Sequence, residues 1–294
     1  MSATAVAEPR PAVKSGFTVR RLGGSLGAAI ESIDLAAPIS DTTMAGLRAA
    51  FIDHLVLVFP SQGHLSPAQH LAFAERWGPL LDMPGGWIGD SKALIEIASR
   101  GGKGRGGGQS EDEHETLSVA RTDIWHSDLS FYAEPPMGSL LLAREIPDAG
   151  GDTIFANQYL AYETLSPAMR KMLEPLRAVH SGEGLWRING MDPRLATRSA
   201  HPIVRTHPET GRKALYVNKV WTKQIEGMTL AESAPLLDFL YAHACEPNFT
   251  FRHRWTAGDL LMWDNRSVQH YAVRDYGAAT RVMNRVTVSG DVPA

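Results

Sequence analysis

The pattern of apolar and polar positions predicts strands and helices in alternation at first, and mostly strands thereafter. Residues 17–21 and 28–33 read as short strands around a glycine turn at Gly23, Gly24 and Gly27. Asp41 is expected to cap a helix in which Met44, Leu47, Ala50 and Phe51 recur at helical spacing. The run Leu55-Val-Leu-Val-Phe59 is apolar at every position and stops at Pro60, the pattern of a strand buried on both faces. Ser66 and Pro67 supply an N-cap and a first-turn proline for a second helix running to about Trp77. Beyond Met137 short strands dominate, at 139–143, 153–156, 214–217, 249–255, 260–263 and 281–289, with helical patterns at 158–165, 167–176 and 231–245. Short strands parted by turns such as Asp148-Ala-Gly-Gly151 predict a mainly β sandwich or jelly roll with flanking helices. No repeat or break in composition divides the chain, so residues 16–294 are expected to form a single domain behind a disordered start, 1–15.

One stretch departs from this pattern. Residues 99–121 hold the glycine-rich run Gly101-Gly-Lys-Gly-Arg-Gly-Gly-Gly108 and then an acidic run to Glu115, which predicts a flexible loop placed to act as a lid. Gly102, Gly104 and Gly107 have dinucleotide-fingerprint spacing, but an acidic run follows where an apolar helix is required. The 294 residues are 44% hydrophobic, enough for a sizeable core, and the net charge of −3 leaves no basic footprint for nucleic acid or an anionic membrane. No apolar run approaches the roughly 20 residues of a spanning helix. The first 15 residues lack the apolar segment of a signal peptide. Cys245 is the one cysteine, which rules out an internal disulfide and a Cys-rich zinc site and suits the cytoplasm.

The candidate chemistry lies in Trp125-His-Ser-Asp-Leu-Ser-Phe131. His126 and Asp128, two apart, point to the same side of an extended segment. An imidazole and a carboxylate begin a 2-His-1-carboxylate facial set, which suits non-haem Fe(II) and leaves coordination positions open. The third ligand must come from far along the chain. His270, after the turn in Trp263-Asp-Asn-Arg-Ser-Val-Gln-His270, is the best placed, and pattern alone leaves His180 and His201 open. On the segment 281–288, Arg281, Met283, Arg285 and Thr287 share one face, and two arginines there are costly to bury unless anions meet them.

Trp125-His-x-Asp-x-x-Phe131, Gly150-Gly-Asp-Thr153, Trp263-Asp-Asn-Arg-x-x-x-His270 and Arg281-x-x-x-Arg285, taken in order, resemble the taurine dioxygenase (TauD/TfdA) family of Fe(II)/2-oxoglutarate-dependent dioxygenases. Leu215-Tyr-Val-Asn218 and Ile225-Glu-Gly-Met228 also fit it. The resemblance implies a double-stranded β-helix, or jelly roll. It implies Fe(II) on His126, Asp128 and His270, with 2-oxoglutarate and O2 as co-substrates and succinate and CO2 as products. It also implies that Arg281, whose planar fork matches a carboxylate, anchors 2-oxoglutarate together with the Thr153 hydroxyl. Arg285 becomes a candidate reader of a substrate anion, with an internal carboxylate partner as the rival reading. Trp221 and Leu129 become candidate walls of the substrate pocket, to which Trp87 and Trp186 could add.

The family further implies a homo-oligomer, dimer or tetramer. The chain departs from the taurine-specific pattern, because 81–87 holds neither the histidine nor the tyrosine of those enzymes and Thr122 replaces an asparagine. The expected substrate is therefore a bulkier, more apolar organic anion, whose hydroxylation could cleave a C–S or C–O bond. Taurine or another alkylsulfonate, an alkyl sulfate and an aryloxyalkanoate are the specific alternatives. Outside the class stand a zinc hydrolase on the same ligands and a non-catalytic binding module.

Overall fold

The computed structural model describes residues 16–83, 87–100, 103–104, 123–188 and 190–294. The expected disordered start and most of the expected lid, residues 105–121, lie outside them. Among the described residues seventeen strands run in chain order: β1 Thr18–Arg21, β2 Ala28–Glu31, β3 Val56–Phe59, β4 Trp87–Ile88, β5 Ser91–Arg100, β6 Lys103–Gly104, β7 Gly138–Glu145, β8 Thr153–Asn157, β9 Arg177–Ser181, β10 Arg198–Pro202, β11 Val204–Thr206, β12 Lys213–Leu215, β13 Thr222–Ile225, β14 Thr250–His253, β15 Leu260–Asp264, β16 Val268–Ala272 and β17 Arg281–Val288. Six α-helices accompany them among the described residues: α1 Asp41–His54, α2 Pro67–Glu75, α3 Gln158–Glu163, α4 Pro167–Leu173, α5 Glu183–Ile188 and α6 Leu230–His243.

A large sheet in the order β1-β2-β3-β15-β7-β17-β5-β4, with β6 on β5, faces a small one in the order β14-β8-β16. All pairings are antiparallel except β2 with β3. This is the two-sheet jelly roll expected. Strands β9, β10 and β13 form a third sheet, and β11 pairs with β12.

The central strands β3, β15 and β7 of the large sheet are buried on both faces, which explains their unbroken apolar runs. Leu57 and Phe59 pack with Leu47 and Phe51 of α1 and Phe73 of α2. Val56 and Val58, one residue out of step, pack with Phe155, Trp255 and Trp263 between the two sheets. The same alternation on β17 sends Val286 and Val288 to the helices and Met283 to the space between the sheets. Arg281 and Arg285 share the parity of Met283 and so enter that inner space.

Several boundaries differ from expectation. Helix α1 is capped by Ser40, whose hydroxyl accepts from the Thr43 amide, so Asp41 is its first residue and meets the positive end of the helix dipole. Ser66 and Pro67 do open α2, within a capping box. The stretch expected to be loop from residue 99 begins as strand instead: β5 continues to Arg100 and Lys103–Gly104 pairs with it.

His70, on the core side of α2, is fully buried, and neither ring nitrogen has a hydrogen-bond partner among the described residues. Burial, reinforced by the charge of Arg144, pushes its pKa from 6.5 down to about 3. The unfolded chain therefore takes up this proton first as the pH falls, and the native state loses stability from about 6.5 downward until about 3. Between pH 7 and 5, His70→Leu should lose about 2 kcal/mol less unfolding free energy than the unaltered protein. Urea titrations at the two pH values measure this, and equal losses would show that His70 titrates normally.

Candidate metal centre

The small sheet brings the distant ligands together. Residue 126 joins its edge as an isolated antiparallel bridge to His270 on β16, with amide-to-carbonyl distances of 3.1 and 2.8 Å in the two directions. Directly paired residues in antiparallel strands project to the same face, and the two imidazole rings lie 4.2 Å apart, centre to centre. Asp128, two residues on, adds its carboxylate, with Oδ1 3.9 Å from His126 Nε2 and 3.8 Å from His270 Nε2. All three side chains are buried, and their ligand atoms lie within 4.8 Å of one another. Donors on a common ion with bonds of about 2.1 Å sit roughly 3 Å apart, so the three atoms would draw closer to share one ion.

The hydrogen bonds orient this set toward a metal. The carbonyl of Ile124 can only accept, so His126 Nδ1, 2.7 Å away, carries the proton and Nε2 presents its lone pair inward. Asp128 is bonded on one side only. Its Oδ2 accepts from Ser139 Oγ at 2.8 Å, Asn265 Nδ2 at 3.3 Å and Arg285 Nη2 at 2.9 Å. Oδ1 receives no hydrogen bond among the described residues and faces the histidines. Burial alone would raise the pKa of this carboxyl, but Arg285, the two imidazoles and Ser139 outweigh it and hold the group well below the usual carboxylate range. Burial lowers both histidines as well, His270 to about 3, so their nitrogens remain unprotonated donors at neutral pH. His270 Nδ1 has no partner among the described residues. Trp263 and Phe155, at 4.8 and 6.2 Å between ring centres, hold that ring by packing.

Arg281 lies farther along the same inner face. It is buried, and among the described residues no carboxylate lies within ion-pair distance. Its Nε donates to Gly151 O at 3.1 Å, and its guanidinium carbon sits 5.8 Å from the centre of the Trp255 ring. The paired glycines make this possible. Gly150 and Gly151 have φ of +81° and +72°, and a Cβ on Gly151 would come within 3.2 Å of the Arg281 side chain. Thr153 Oγ1 accepts from Trp255 Nε1 at 3.0 Å, which leaves its own hydrogen to donate.

The remaining candidates sort themselves by contact. Arg285 has the internal carboxylate partner that was its rival reading, Asp128, and its Nη1 has no hydrogen bond among the described residues. Leu129 and Trp221 share an apolar cluster with Phe131 and Val220, against which Trp186 packs. Trp221 is tied to the metal loop by an Nε1–H bond to Ser127 O, 2.9 Å. Trp87 is 52% exposed and outside this cluster. His180 and His201 pair with one another at 5.2 Å and take no part in the ligand set. Sequence reasoning missed Ser139 and Asn265 as supports of Asp128. A lone serine in the apolar run of β7 was the available signal.

A family profile, Taurine catabolism dioxygenase TauD, TfdA family, matches residues 18–287. The alkylsulfatase of Acinetobacter baylyi is 34% identical over 93% of this chain and 85% of its own length. The α-ketoglutarate-dependent 2,4-dichlorophenoxyacetate dioxygenase of Cupriavidus pinatubonensis is 34% identical over 90% and 94%. Among solved structures, AAD-2 in complex with Mn(II) and N-oxalylglycine superposes with a TM-score of 0.81 at 30% identity, covering 94% of this chain and 99% of that one.

The turn that delivers His270 depends on a buried ion network. Asp264 accepts from Arg266 Nε and Nη2 at 2.9 and 2.8 Å and from His207 Nε2 at 3.0 Å, all three residues being almost wholly buried. Asp264→Ala leaves a buried guanidinium short of its main counter-charge and should cost about 3–5 kcal/mol in denaturant unfolding. A loss under 1 kcal/mol would show that Glu209, the other partner of Arg266 at 2.6 Å, suffices.

Proposed function

The chain belongs to the TauD/TfdA dioxygenase family, and on that premise we propose that His126, Asp128 and His270 hold Fe(II) while Arg281 and Thr153 anchor 2-oxoglutarate. The protein is an Fe(II)- and 2-oxoglutarate-dependent dioxygenase. The observation that carries the residue assignment is the buried set of two imidazole nitrogens and one carboxylate oxygen within 4.8 Å, on the inner face that also carries an arginine with no ion-paired acid among the described residues. Bound Fe(II) supplies the activation of O2 that oxidises 2-oxoglutarate to succinate and CO2 and delivers one oxygen atom to a substrate C–H bond.

The chain's own groups set the geometry. Arg281 offers two terminal N–H groups to the far carboxylate of 2-oxoglutarate, a charge-assisted fork that no carboxylate among the described residues meets within ion-pair distance. The Thr153 hydrogen is directed to the same anion by the Trp255 indole, which occupies the oxygen's acceptor side. The tilted Trp263 ring and the stacked Phe155 ring pack against His270 and hold its orientation. At Arg285, Nη2 is committed to Asp128, and Nη1 is the donor left for a substrate anion.

For the substrate we propose an organic anion with an apolar body, an alkyl sulfate or an aryloxyalkanoate. The relatives named for alkyl sulfate and phenoxyacetate chemistry support this, as does the apolar cluster of Leu129, Phe131, Val220 and Trp221 beside the metal loop. Hydroxylation of the carbon bearing a sulfate ester or aryl ether leaves a carbon carrying both a hydroxyl and a leaving group. It collapses to a carbonyl compound and releases sulfate or a phenol.

His126→Ala and Asp128→Ala should each abolish Fe(II)-dependent succinate formation, measured with alkyl sulfates, aryloxyalkanoates and sulfonates as stimulants. Unchanged succinate release by either variant would sink the ligand assignment. Arg281→Ala should raise the KM for 2-oxoglutarate about 10- to 100-fold, the worth of a lost charge-assisted bond, with Mn(II) affinity retained. A KM within twofold of the unaltered enzyme removes Arg281 as the anchor.

A further inference from the structure

Behind the apolar cluster lies a run of buried polar groups with no role in holding metal or 2-oxoglutarate. Ser130 and His180 are fully buried, and Asn218 and Thr222 nearly so. Their hydrogen bonds can be assigned donor by donor. The Trp221 amide donates to Asn218 Oδ1 at 3.0 Å, so the other side of that carboxamide is its NH2 group. Nδ2 then donates to Ser130 Oγ at 3.0 Å, and the Ser130 hydroxyl in turn donates to His180 Nδ1 at 2.8 Å. With Nδ1 accepting, the neutral imidazole carries its hydrogen on Nε2, 3.3 Å from Thr222 Oγ1. Thr222 Oγ1 also accepts from the Asn218 amide at 2.9 Å. Burial keeps His180 well below the ordinary histidine range, so the ring is neutral at neutral pH.

The run ends on both sides of a metal ligand. Ser130 lies two residues beyond Asp128. On the near side, Ser127 O accepts from Trp221 Nε1 and Ser127 Oγ donates to Val268 O, each at 2.9 Å. The loop carrying Asp128 is thus gripped at residues 127 and 130 by the segment 218–222 that carries Trp221. Between the grips, Leu129 is held at φ +45°, a conformation an unconstrained leucine avoids.

We infer that Asn218, Ser130 and His180 are positioning residues that join the Trp221 wall to the Asp128 loop, so that one hydrogen-bonded unit sets both the shape of the substrate pocket and the orientation of the metal carboxylate. This rests on the metal and pocket assignments proposed above. A substrate that fits the wall leaves the carboxylate undisturbed, and one that displaces the wall turns it. The unit therefore determines which substrates keep 2-oxoglutarate consumption matched to substrate oxidation.

The test uses the full chain and Mn(II) alone, titrated without co-substrates, beside a thermal melt of each variant. Ser130→Ala and Asn218→Ala should weaken Mn(II) binding on the order of 10-fold, as outer-shell removals do. His180→Gln, which keeps one acceptor and one donor, should bind Mn(II) more tightly than His180→Leu. In turnover, Ser130→Ala should release more succinate per oxidised substrate than the unaltered enzyme. Should Asn218→Ala fail to fold, Ser130→Ala, which loses a single oxygen atom, still decides the matter. A lowered melting temperature with Mn(II) affinity and the succinate-to-product ratio unchanged would reduce these residues to core packing and overturn the inference. If the unaltered protein consumes no 2-oxoglutarate while Ser130→Ala still weakens Mn(II), the proposed function falls and the positioning role stands.

Discussion

A carboxylate buried between two sheets must be compensated or protonated, and in this chain the compensation of Asp128 organises the rest. Three donors from three elements, Ser139 of β7, Asn265 of the β15–β16 turn and Arg285 of β17, converge on one of its oxygens. Each would be poorly placed if the sheets slid by one residue, because side chains alternate faces along a strand. The other oxygen is left for chemistry. The charge of Arg285 therefore does two jobs: it makes burial of the acid tolerable, and it holds the carboxylate with one oxygen turned toward the imidazoles.

The same alternation explains how an apolar sandwich accommodates so many polar groups. On β17 the residues facing the helices are mostly valines, while those facing inward include two arginines and a threonine. Each inward polar group has an assigned counterpart: Arg285 pairs with Asp128 and Thr287, and Arg281 donates through Nε to Gly151. Among the described residues the terminal nitrogens of Arg281 and Nη1 of Arg285 have no protein acceptor, a costly arrangement in an interior unless an anion completes it.

Legibility in the sequence followed the physics of each feature. The buried strand β3 was readable because both its faces meet core, so no polar residue interrupts the run. His126, Asp128 and His270 were readable as candidate ligands through their motifs, and the paired glycines before Thr153 as a turn, whereas the close approach of Arg281 to Gly151 is visible only in three dimensions. The strand β5 was not assigned, because its lysine, glutamate and serine break any simple alternation and a glycine run follows it. The partner of Arg285 could not be chosen in advance, since it lies 157 residues away and depends on sheet register. Pattern could not separate His180 and His201 from ligands either. What distinguishes them is a local set of hydroxyl and carbonyl partners visible only in three dimensions.

The bridge between residues 126 and 270 has a thermodynamic consequence. These ligands are brought side by side only when β16 and the segment before Asp128 pair, so an unfolded chain offers a metal ion scattered donors rather than a site. By mass action, an ion at a hundred times its dissociation constant then adds about 2.7 kcal/mol to the native state. In a cell, the supply of ferrous iron would set the lifetime of this protein as well as its catalytic capacity, because scarcity enlarges the unfolded fraction exposed to proteases.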